Sequence, residues 1–238
     1  MKTVDVRSVE KRLPSSVVRL GKYLLRKYKR AVFGFDDWFA FPFPIDFERA
    51  LPADAPSVLA GCCEALEKLQ VRFVVATGTA LGLYRDGKLI AHDNDIDIDL
   101  LGALDEREIL SEFDSLGLTL CRRVAYRGRL RQLIFRSPSG VPVDLCFWER
   151  IGPYVYHYLP ELGGLVRRHP HEFYEDLTTT VFNGRAYPLP ARTDEWLALQ
   201  YGDWRTPKSV KGDWRQESRD IVRPTPSVGR SSRRPRQY

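Results

Sequence analysis

The sequence is poor in the residues that build disulfide frameworks, zinc clusters and membrane spans. It has only four cysteines, of which Cys62 and Cys63 are adjacent while Cys121 and Cys146 stand alone, and it has no C-x-x-C pair. This pattern argues against a disulfide framework and favours buried thiols in a reducing compartment. The chain also lacks the apolar run of about 18 residues that a transmembrane helix requires and the apolar core of a signal peptide. We therefore expect a cytoplasmic location.

Several common catalytic fingerprints are also missing. The sequence contains no P-loop, no Rossmann glycine pattern, no nucleophile elbow of a Ser-His-Asp hydrolase and no internal repeat. With 238 residues, 43% of them hydrophobic, the chain can bury one sizeable core. We predict three segments. Residues 1–50 hold a basic helix and an aromatic, proline-rich arm, residues 51–215 form the catalytic domain, and residues 216–238 form a basic, disordered tail.

Acidic residues are scarce at both ends of the chain. The formal net charge is +6, and residues 11–30 hold eight basic residues and no acidic one. Apolar residues at helical spacing predict an amphipathic helix over residues 15–32. Its basic face suits solvent, peripheral contact with anionic lipid or, least well, nucleic acid. Residues 33–47 are too rich in aromatics and proline for a regular helix, and we interpret them as an ordered arm over the core.

The middle of the chain alternates helical and strand patterns. Helices are predicted at 54–70, 105–116 and 193–201, strands at 71–76, about 95–100, 118–124, 130–136 and 141–148, and a strand–turn–strand unit at 181–190. Three of the helix starts carry capping residues, namely Asp54, the pair Asp105 and Glu108, and Thr193. These elements predict a small mixed sheet flanked by helices.

The most informative stretch, residues 93–100, alternates carboxylates with aliphatic residues. In a strand, Asp95, Asp97 and Asp99 share one face and the aliphatic residues share the other. Carboxylates this close resist joint ionisation unless a cation compensates them, and hard oxygen ligands suit Mg²⁺ or Mn²⁺. A merely acidic outer face is the alternative, although Asp is depleted in strands. An EF-hand loop is disfavoured because its sixth position, which requires glycine, would be Leu100.

A turn suited to phosphate precedes this stretch. A β-branched strand at 71–76 leads into Gly78 and Thr79, after which residues 80–84 have a helical pattern. The free N–H groups and the dipole of a helix start favour phosphate. Arg85 lies in the turn that follows, where it either reaches a phosphate or remains solvated.

A further carboxylate stands on another predicted strand. Within residues 141–148, Asp144 is an isolated acid in an apolar run, and burying it unpaired would be costly. Completing a metal site would explain it, and a surface or salt-bridged Asp is the alternative. The segment His169-Pro170-His171 carries no comparable signal, because proline breaks the helical spacing of a zinc-binding pair.

Residues 78–100 resemble the signature of the LicD/fukutin-related family within the nucleotidyltransferase fold. The matching residues are Gly78, Thr79, Gly82, Arg85, Ile90, Asp93, Asp95 and Asp97. Ala91-His92 stands where family members commonly have Pro-Trp, so this chain departs from the family at the wall of the site but not at the metal ligands. The segment Tyr201-Gly202-Asp203-Trp204 resembles a second element that the family often carries near its end.

This resemblance implies an α/β, nucleotidyltransferase-like fold and a metal-dependent transferase. The enzyme would move a phosphoalcohol, such as phosphocholine or ribitol phosphate, from a CDP-linked donor to a glycan or lipid-linked glycan acceptor, releasing CMP. Asp95, Asp97 and Asp144 would hold Mg²⁺ or Mn²⁺, and one of them or Asp93 would accept the proton of the attacking hydroxyl. The residues expected to contact substrate are Gly78, Thr79, Arg85 and His92.

Two other functions fit the same sequence. One is true nucleotidyl transfer, in which a nucleoside monophosphate moves from a nucleoside triphosphate to a small molecule, a protein or RNA. The other is a non-catalytic module that binds membrane or nucleic acid through its basic ends. The intact carboxylate set argues against the non-catalytic reading.

Overall fold

The computed structural model describes residues 21, 24, 27, 28, 34–39, 45, 50–102, 104–162, 164–207 and 218–222. Gly21, Leu24, Lys27 and Tyr28 are helical, and the side chains of Leu24 and Tyr28 are exposed. The rest of the helix predicted over 15–32, most of the arm at 33–47 and the tail beyond residue 222 lie outside the described residues.

Helices and strands alternate along the first part of the chain, and strands dominate the second. The helices are α1 (Ala55–Lys68), α2 (Thr77–Asp86), α3 (Glu106–Ser115) and α4 (Thr193–Tyr201). The strands are β1 (Phe35–Phe39), β2 (Arg72–Val75), β3 (Ile96–Leu101), β4 (Thr119–Tyr126), β5 (Arg129–Arg136), β6 (Pro142–Ile151), β7 (Tyr154–Leu159), β8 (Leu165–Pro170), β9 (Leu177–Phe182), β10 (Arg185–Pro190) and β11 (Ile221–Val222). To cross a membrane, a helix would need more length and more apolar character than any helix within the described ranges has.

In the described part of the chain, nine strands form one curled sheet. Its main path runs β1-β4-β5-β6-β7-β8-β11, and β9 and β10 form a separate hairpin. A branch leaves the path at β6, where β3 pairs in parallel with β6 and antiparallel with β2. The long strand β6 therefore joins the two halves of the sheet, since its beginning pairs with β3 and β5 and its end pairs with β7. This mixed sheet flanked by helices confirms the predicted α/β fold class.

The alternation seen in the sequence of β3 separates a core face from an acidic face. Ile96 and Ile98 are fully buried and belong to the same core as Leu59 of α1 and Phe113 of α3. The ring of Phe113 lies 4.8 Å from that of Phe135 on β5, which joins α3 to the sheet. Because alternate residues of a strand point to opposite faces, the burial of Ile96 and Ile98 in this core places Asp97 and Asp99 on the other face of β3.

Helix capping follows the sequence at one of three predicted starts. The side chain of Asp105 accepts a hydrogen bond from the backbone N–H of Arg107, as expected of a cap. Asp54 precedes α1 without capping it through its side chain, and its φ and ψ of −87° and 4° lie outside the extended region that caps adopt. The hydroxyl of Thr193 instead donates to the carbonyl of Pro190, at 2.5 Å.

Three stretches contain strands that the sequence pattern did not reveal. Part of the arm at 33–47 is β1, which pairs with β4, and β7 and β8 form a hairpin. Disorder was expected from residue 216, yet β11 pairs with β8 and Asp220 is 2% exposed. The expectation is therefore corrected for residues 218–222. Local composition could not predict this ordered segment, because the partners of Asp220 lie about fifty residues earlier in the chain.

Candidate active site

Two carboxylates meet where β3 and β6 run side by side. Asp97 and Asp144 are direct register partners across this parallel pair, so their side chains emerge on the same face of the sheet. Both are half-buried. Asp95 immediately precedes β3 and is also half-buried. The structure thus brings together two of the acids that the sequence singles out and places the third at the entrance of the same strand.

The start of α2 is bonded directly to Asp97. The hydroxyl of Thr77 donates to Asp97 Oδ2. The hydroxyl of Thr79 accepts the backbone N–H of Asp97 at 3.0 Å, and the backbone N–H of Ala76 donates to the carbonyl of Asp97 at 3.0 Å. Because α2 begins at Thr77, the N–H groups of its first turn have no acceptor within the helix. A partly positive helix start therefore lies beside the carboxylates, an arrangement that suits a phosphate.

Asp144 is oriented by its neighbours on the same face. The side-chain amide of Gln132 on β5 donates to Asp144 Oδ2 at 2.6 Å, and Cys146 Sγ lies 3.7 Å from Asp144 Oδ1. Burial raises the pKa of the Cys146 thiol, and the negative charge of Asp144 raises it further. Cys146 is therefore a neutral packing residue beside the site rather than a nucleophile. The sequence analysis missed Gln132, because nothing in the local pattern shows that β5 pairs with β6.

Two glycines of the signature are explained by close approaches. A side chain at Gly78 would overlap the carboxylate of Asp93, and one at Gly82 would come within 2.6 Å of the carbonyl oxygen of Lys88. Asp93 is itself 9% exposed, and its Oδ1 accepts the backbone N–H of Asn94 at 3.1 Å. These contacts fold the loop before β3 tightly onto α2. Asp93 therefore packs against the start of α2, in the loop that leads into β3.

Backbone strain also marks this helix start. Thr77 has a φ of 41°, a conformation that is rare for a β-branched residue. Residues held in such conformations cluster at binding and catalytic sites. The unusual backbone turns the Thr77 hydroxyl toward Asp97, as its hydrogen bond shows.

The described carboxylates fit a divalent cation in part. Across the described ranges, no group of three or more His, Cys, Asp or Glu side chains is placed to hold a metal ion. Asp97 and Asp144 are nevertheless adjacent, and Mg²⁺ commonly binds through one or two carboxylates while waters and substrate phosphates fill the remaining positions. These two residues meet that requirement. Asp95 does not join them in a cluster of three protein ligands.

The next acid along β3 belongs to a buried network. Burial raises the pKa of Asp99 to about 7, against the opposing positive charge of Arg167. Arg167 on β8 donates to Asp220 Oδ2 at 2.7 Å and to Gln200 Oε1 at 2.7 Å. His169 Nε2 lies 2.7 Å from the same oxygen of Asp220. A fully buried ionic layer thus lies next to Asp97 on the same face of β3.

The segment from Tyr201 to Trp204 packs onto the signature helix α2. Arg85 donates to the carbonyl of Trp204 at 3.2 Å and forms a two-pronged ion pair with Asp86 at 2.9 and 2.7 Å. The rings of Tyr84 and Trp204 lie 5.6 Å apart, and the Tyr84 hydroxyl donates to Asp194 at 3.0 Å. The two segments that resemble the family therefore form one physical unit.

Tyr201 belongs to this unit and lies near enough to Asp97 and Asp93 for their charges to act on its hydroxyl. Burial raises its pKa, Arg167 opposes the shift, and the negative charges of Asp97 and Asp93 add to it. Its side chain is half-buried. Tyr201 was noted in the sequence only for its resemblance, and its place near Asp97 follows from the packing of α4. His92, by contrast, is exposed in the loop before β3.

A cavity of about 940 Å³ lies apart from these carboxylates. It opens where β3 and β6 end and is lined by apolar and charged residues, and the charged ones include Arg72, Arg123, Arg131, Glu106 and Glu149. Most of these charges are already paired, as Arg123 is with Glu106 and Arg131 with Glu149. Neither Asp97 nor Asp144 lines the cavity. The chemistry of the paired carboxylates, rather than the size of this cavity, marks the candidate site.

The fold and the site together define the class. The mixed sheet, with its carboxylates beside a helix start, fits the nucleotidyltransferase-like fold that the sequence resemblance implies. The sequence profile described as "LicD/FKTN/FKRP, nucleotidyltransferase domain" matches residues 70–192, more than half of the chain. The chain therefore belongs to the LicD/FKTN/FKRP family, and the resemblance seen in its sequence is confirmed.

Curated relatives include the ribitol-5-phosphate transferase FKTN of Macaca fascicularis and that of Homo sapiens. Each is 24% identical over 178 residues, which is 72% of this chain and 37% of the relative. The chain thus spans a little over a third of the length of these relatives. The family and these relatives support a transferase.

Two solved structures are similar at a low level. The lincomycin-bound lincosamide antibiotic adenylyltransferase LnuA matches with a TM-score of 0.43 and 13% identity, over 63% of this chain and 86% of that chain. An antigenic nucleotidyltransferase-like protein from Paracoccidioides brasiliensis matches with a TM-score of 0.34 and 19% identity, over 59% and 62%. The family assignment rests on the profile match.

Proposed function

We propose that this chain transfers a phosphoalcohol from a CDP-linked donor to a hydroxyl group of a glycan or lipid-linked glycan and releases CMP. The observation that carries the proposal is the pairing of Asp97 with Asp144 across β3 and β6, next to the start of α2. Membership of the LicD/FKTN/FKRP family supports the transferase class. The donor, the acceptor and peripheral membrane contact through residues 15–32 are parts of the proposal.

Each residue of the site has a distinct task in this reaction. Asp97 and Asp144 would hold a divalent cation, Mg²⁺ or Mn²⁺, with Asp95 at the rim of the site. When bound, the cation would neutralise negative charge that develops on the transferred phosphoryl group. The first-turn N–H groups of α2, including those of Gly78 and Thr79, donate to the phosphates. Asp93 or one of the other carboxylates accepts the proton of the attacking hydroxyl.

Positioning is the main contribution that the protein makes to such a transfer. Phosphoryl transfer depends on alignment and charge stabilisation more than on covalent chemistry by side chains. Thr77 and Gln132 contribute here because each donates a hydrogen bond to one of the paired carboxylates. The site is thereby held in shape by α2 on one side and β5 on the other.

Calorimetric binding of CDP, with and without Mg²⁺, tests the proposal. We expect Mg²⁺-dependent CDP binding that is stronger than binding of UDP or ADP. It should be lost in the variant Asp97→Asn/Asp144→Asn and retained in Asp114→Asn, which changes an exposed acid on α3. CDP binding that ignores both the metal and the double substitution would overturn the metal-dependent proposal.

A donor screen then identifies the reaction. CDP-choline, CDP-ribitol and related compounds are incubated with glycan acceptors, and the nucleotide product is identified. Release of CMP supports phosphoalcohol transfer. A preference for a nucleoside triphosphate with release of pyrophosphate would instead establish nucleotidyl transfer on the same carboxylates.

A further inference from the structure

Residues 218–222 form a segment that packs against the buried ionic network beside the candidate site. It lies outside residues 70–192, which the family profile covers. Its strand β11 pairs with β8, and the carbonyl of Asp220 accepts the backbone N–H of Arg168 at 3.0 Å. The side chain of Asp220 is buried and bonded to Arg167 and His169. We call residues 218–222 the C-terminal strap.

The strap also contacts the end of α4. The backbone N–H of Arg219 donates to the carbonyl of Gln200 at 3.2 Å. The guanidinium of Arg219 lies so close to Gly202 that a side chain there would come within 2.7 Å of its Cζ. The strap therefore contacts the two residues that flank Tyr201, a side chain on which the charges of Asp97 and Asp93 act.

Asp220 is connected to α4 through Arg167. The guanidinium of Arg167 bonds both Asp220 and Gln200, the residue before Tyr201. A buried charge that loses its partner is costly, so Arg167 would be expected to move if Asp220 lost its charge. A change at Asp220 would therefore reach Gln200 and, along the chain, Tyr201.

We propose that Asp220 is a positioning residue that, through Arg167 and Gln200, sets the position of Tyr201 near Asp97. The kinetic part of this inference rests on the proposed function, whereas its structural part does not. Asp220 contacts none of the residues assigned to the cation or the phosphates. Its effect on catalysis is therefore indirect and should appear in the alignment of bound substrates.

The test compares Asp220→Asn with a matched ion-pair variant elsewhere in the sheet. Asp37→Asn changes the acid of a two-pronged pair with Arg122, both contacts being 2.9 Å, between β1 and β4. That pair lies at the far edge of the sheet, three strands from β6. Both substitutions keep the shape of the side chain and remove one buried or half-buried charge. Thermal unfolding of the full chain identifies a temperature at which both variants are folded.

The first readout is independent of catalysis. The protein is labelled with 3-fluorotyrosine, and the resonance of Tyr201 is identified by its loss in Tyr201→Phe. We expect the ¹⁹F resonance of Tyr201 to shift in Asp220→Asn and to stay in place in Asp37→Asn. An unchanged Tyr201 resonance in folded Asp220→Asn overturns the proposal, whatever the activity of the protein.

The second readout uses CMP release from the donor that the screen identifies. We expect kcat to fall about 10- to 100-fold in Asp220→Asn while the donor KM changes much less, because alignment is lost rather than donor affinity. Asp220→Glu, which keeps the charge, should restore part of kcat. Equal losses of kcat in Asp220→Asn and Asp37→Asn would mean that Asp220 only stabilises the fold, and would overturn its positioning role. A wild-type protein that releases no CMP refutes the proposed function, and the fluorine readout then decides the structural claim.

Discussion

Asp97 on β3 and Asp144 on β6 are direct register partners in a parallel strand pair. The pairing joins two parts of the chain that a helix and two strands separate, so the site exists only when the sheet is complete. Parallel neighbours of this kind place equivalent side chains on one face. The acidic face is supported from behind by the buried aliphatic residues of β3. The local stability of this strand pair is therefore also the stability of the candidate site.

Gln132 should tune cation binding without contacting the cation. Replacing it in Gln132→Met removes the amide that donates to Asp144 Oδ2 but keeps a side chain of similar length. Loss of such an orienting hydrogen bond typically weakens metal binding about 10- to 100-fold. We expect a reduction of this size in Mn²⁺ affinity, measured by electron paramagnetic resonance. Leu133→Met, which changes the next residue on the other face of β5, is the control. Equal affinity in the two variants would contradict an orienting role for Gln132.

The sequence predicted those parts of the site that have a local signal. Asp97 and Asp144 could be found because each interrupts an apolar strand pattern, and Gly78 because it lies where a strand pattern gives way to a helical one. Gln132 and Asp220 could not be found in this way. Gln132 becomes relevant only through the pairing of β5 with β6, and Asp220 sits in a tail whose composition is that of a disordered segment. Long-range pairing decides both cases, and no local periodicity encodes it.

The absence of a side chain at Gly78 should be essential to the loop before β3. In Gly78→Ala, the new methyl group would overlap the carboxylate of Asp93, and relieving the overlap should cost about 1–3 kcal/mol. Urea unfolding measures this loss. Removing the carboxylate as well, in Gly78→Ala/Asp93→Ala, should recover part of it. Gly61→Ala on α1 is the matched control, because its methyl group would make only ordinary contacts of 3.8 Å with Leu116. That substitution should leave stability unchanged or raise it by up to about 1 kcal/mol.

Arg85 should contribute to stability more than to nucleotide binding. Its guanidinium is engaged with Asp86 and with the carbonyl of Trp204, so Arg85→Met should lower the free energy of unfolding by about 1–2 kcal/mol. We expect the CDP affinity of the folded variant to change little. Arg107→Met is the control, because Arg107 forms an exposed pair with Asp105 at 3.4 Å and such pairs contribute little. A large loss of CDP affinity in Arg85→Met, without a loss of stability, would instead assign Arg85 to the phosphates.

The buried imidazole of His157 should make the fold sensitive to mild acid. Burial lowers the pKa of His157 to about 3, and the positive charges of Arg167 and Arg131 add to this effect. The unfolded chain takes up a proton on this residue near its ordinary value of about 6.5. The contribution of His157 to the free energy of unfolding is therefore fully present above pH 6.5 and is lost as the pH falls toward its pKa in the folded protein. The slope approaches 1.4 kcal/mol per pH unit, or about 2 kcal/mol between pH 7 and pH 5.

His157→Phe removes this dependence, whereas the contribution of His169 is common to both proteins and cancels. Urea unfolding at several pH values should show the stability of the wild type, relative to that of the variant, declining as the pH falls. Parallel curves would mean that His157 has the same pKa in the folded and the unfolded chain, which contradicts the prediction.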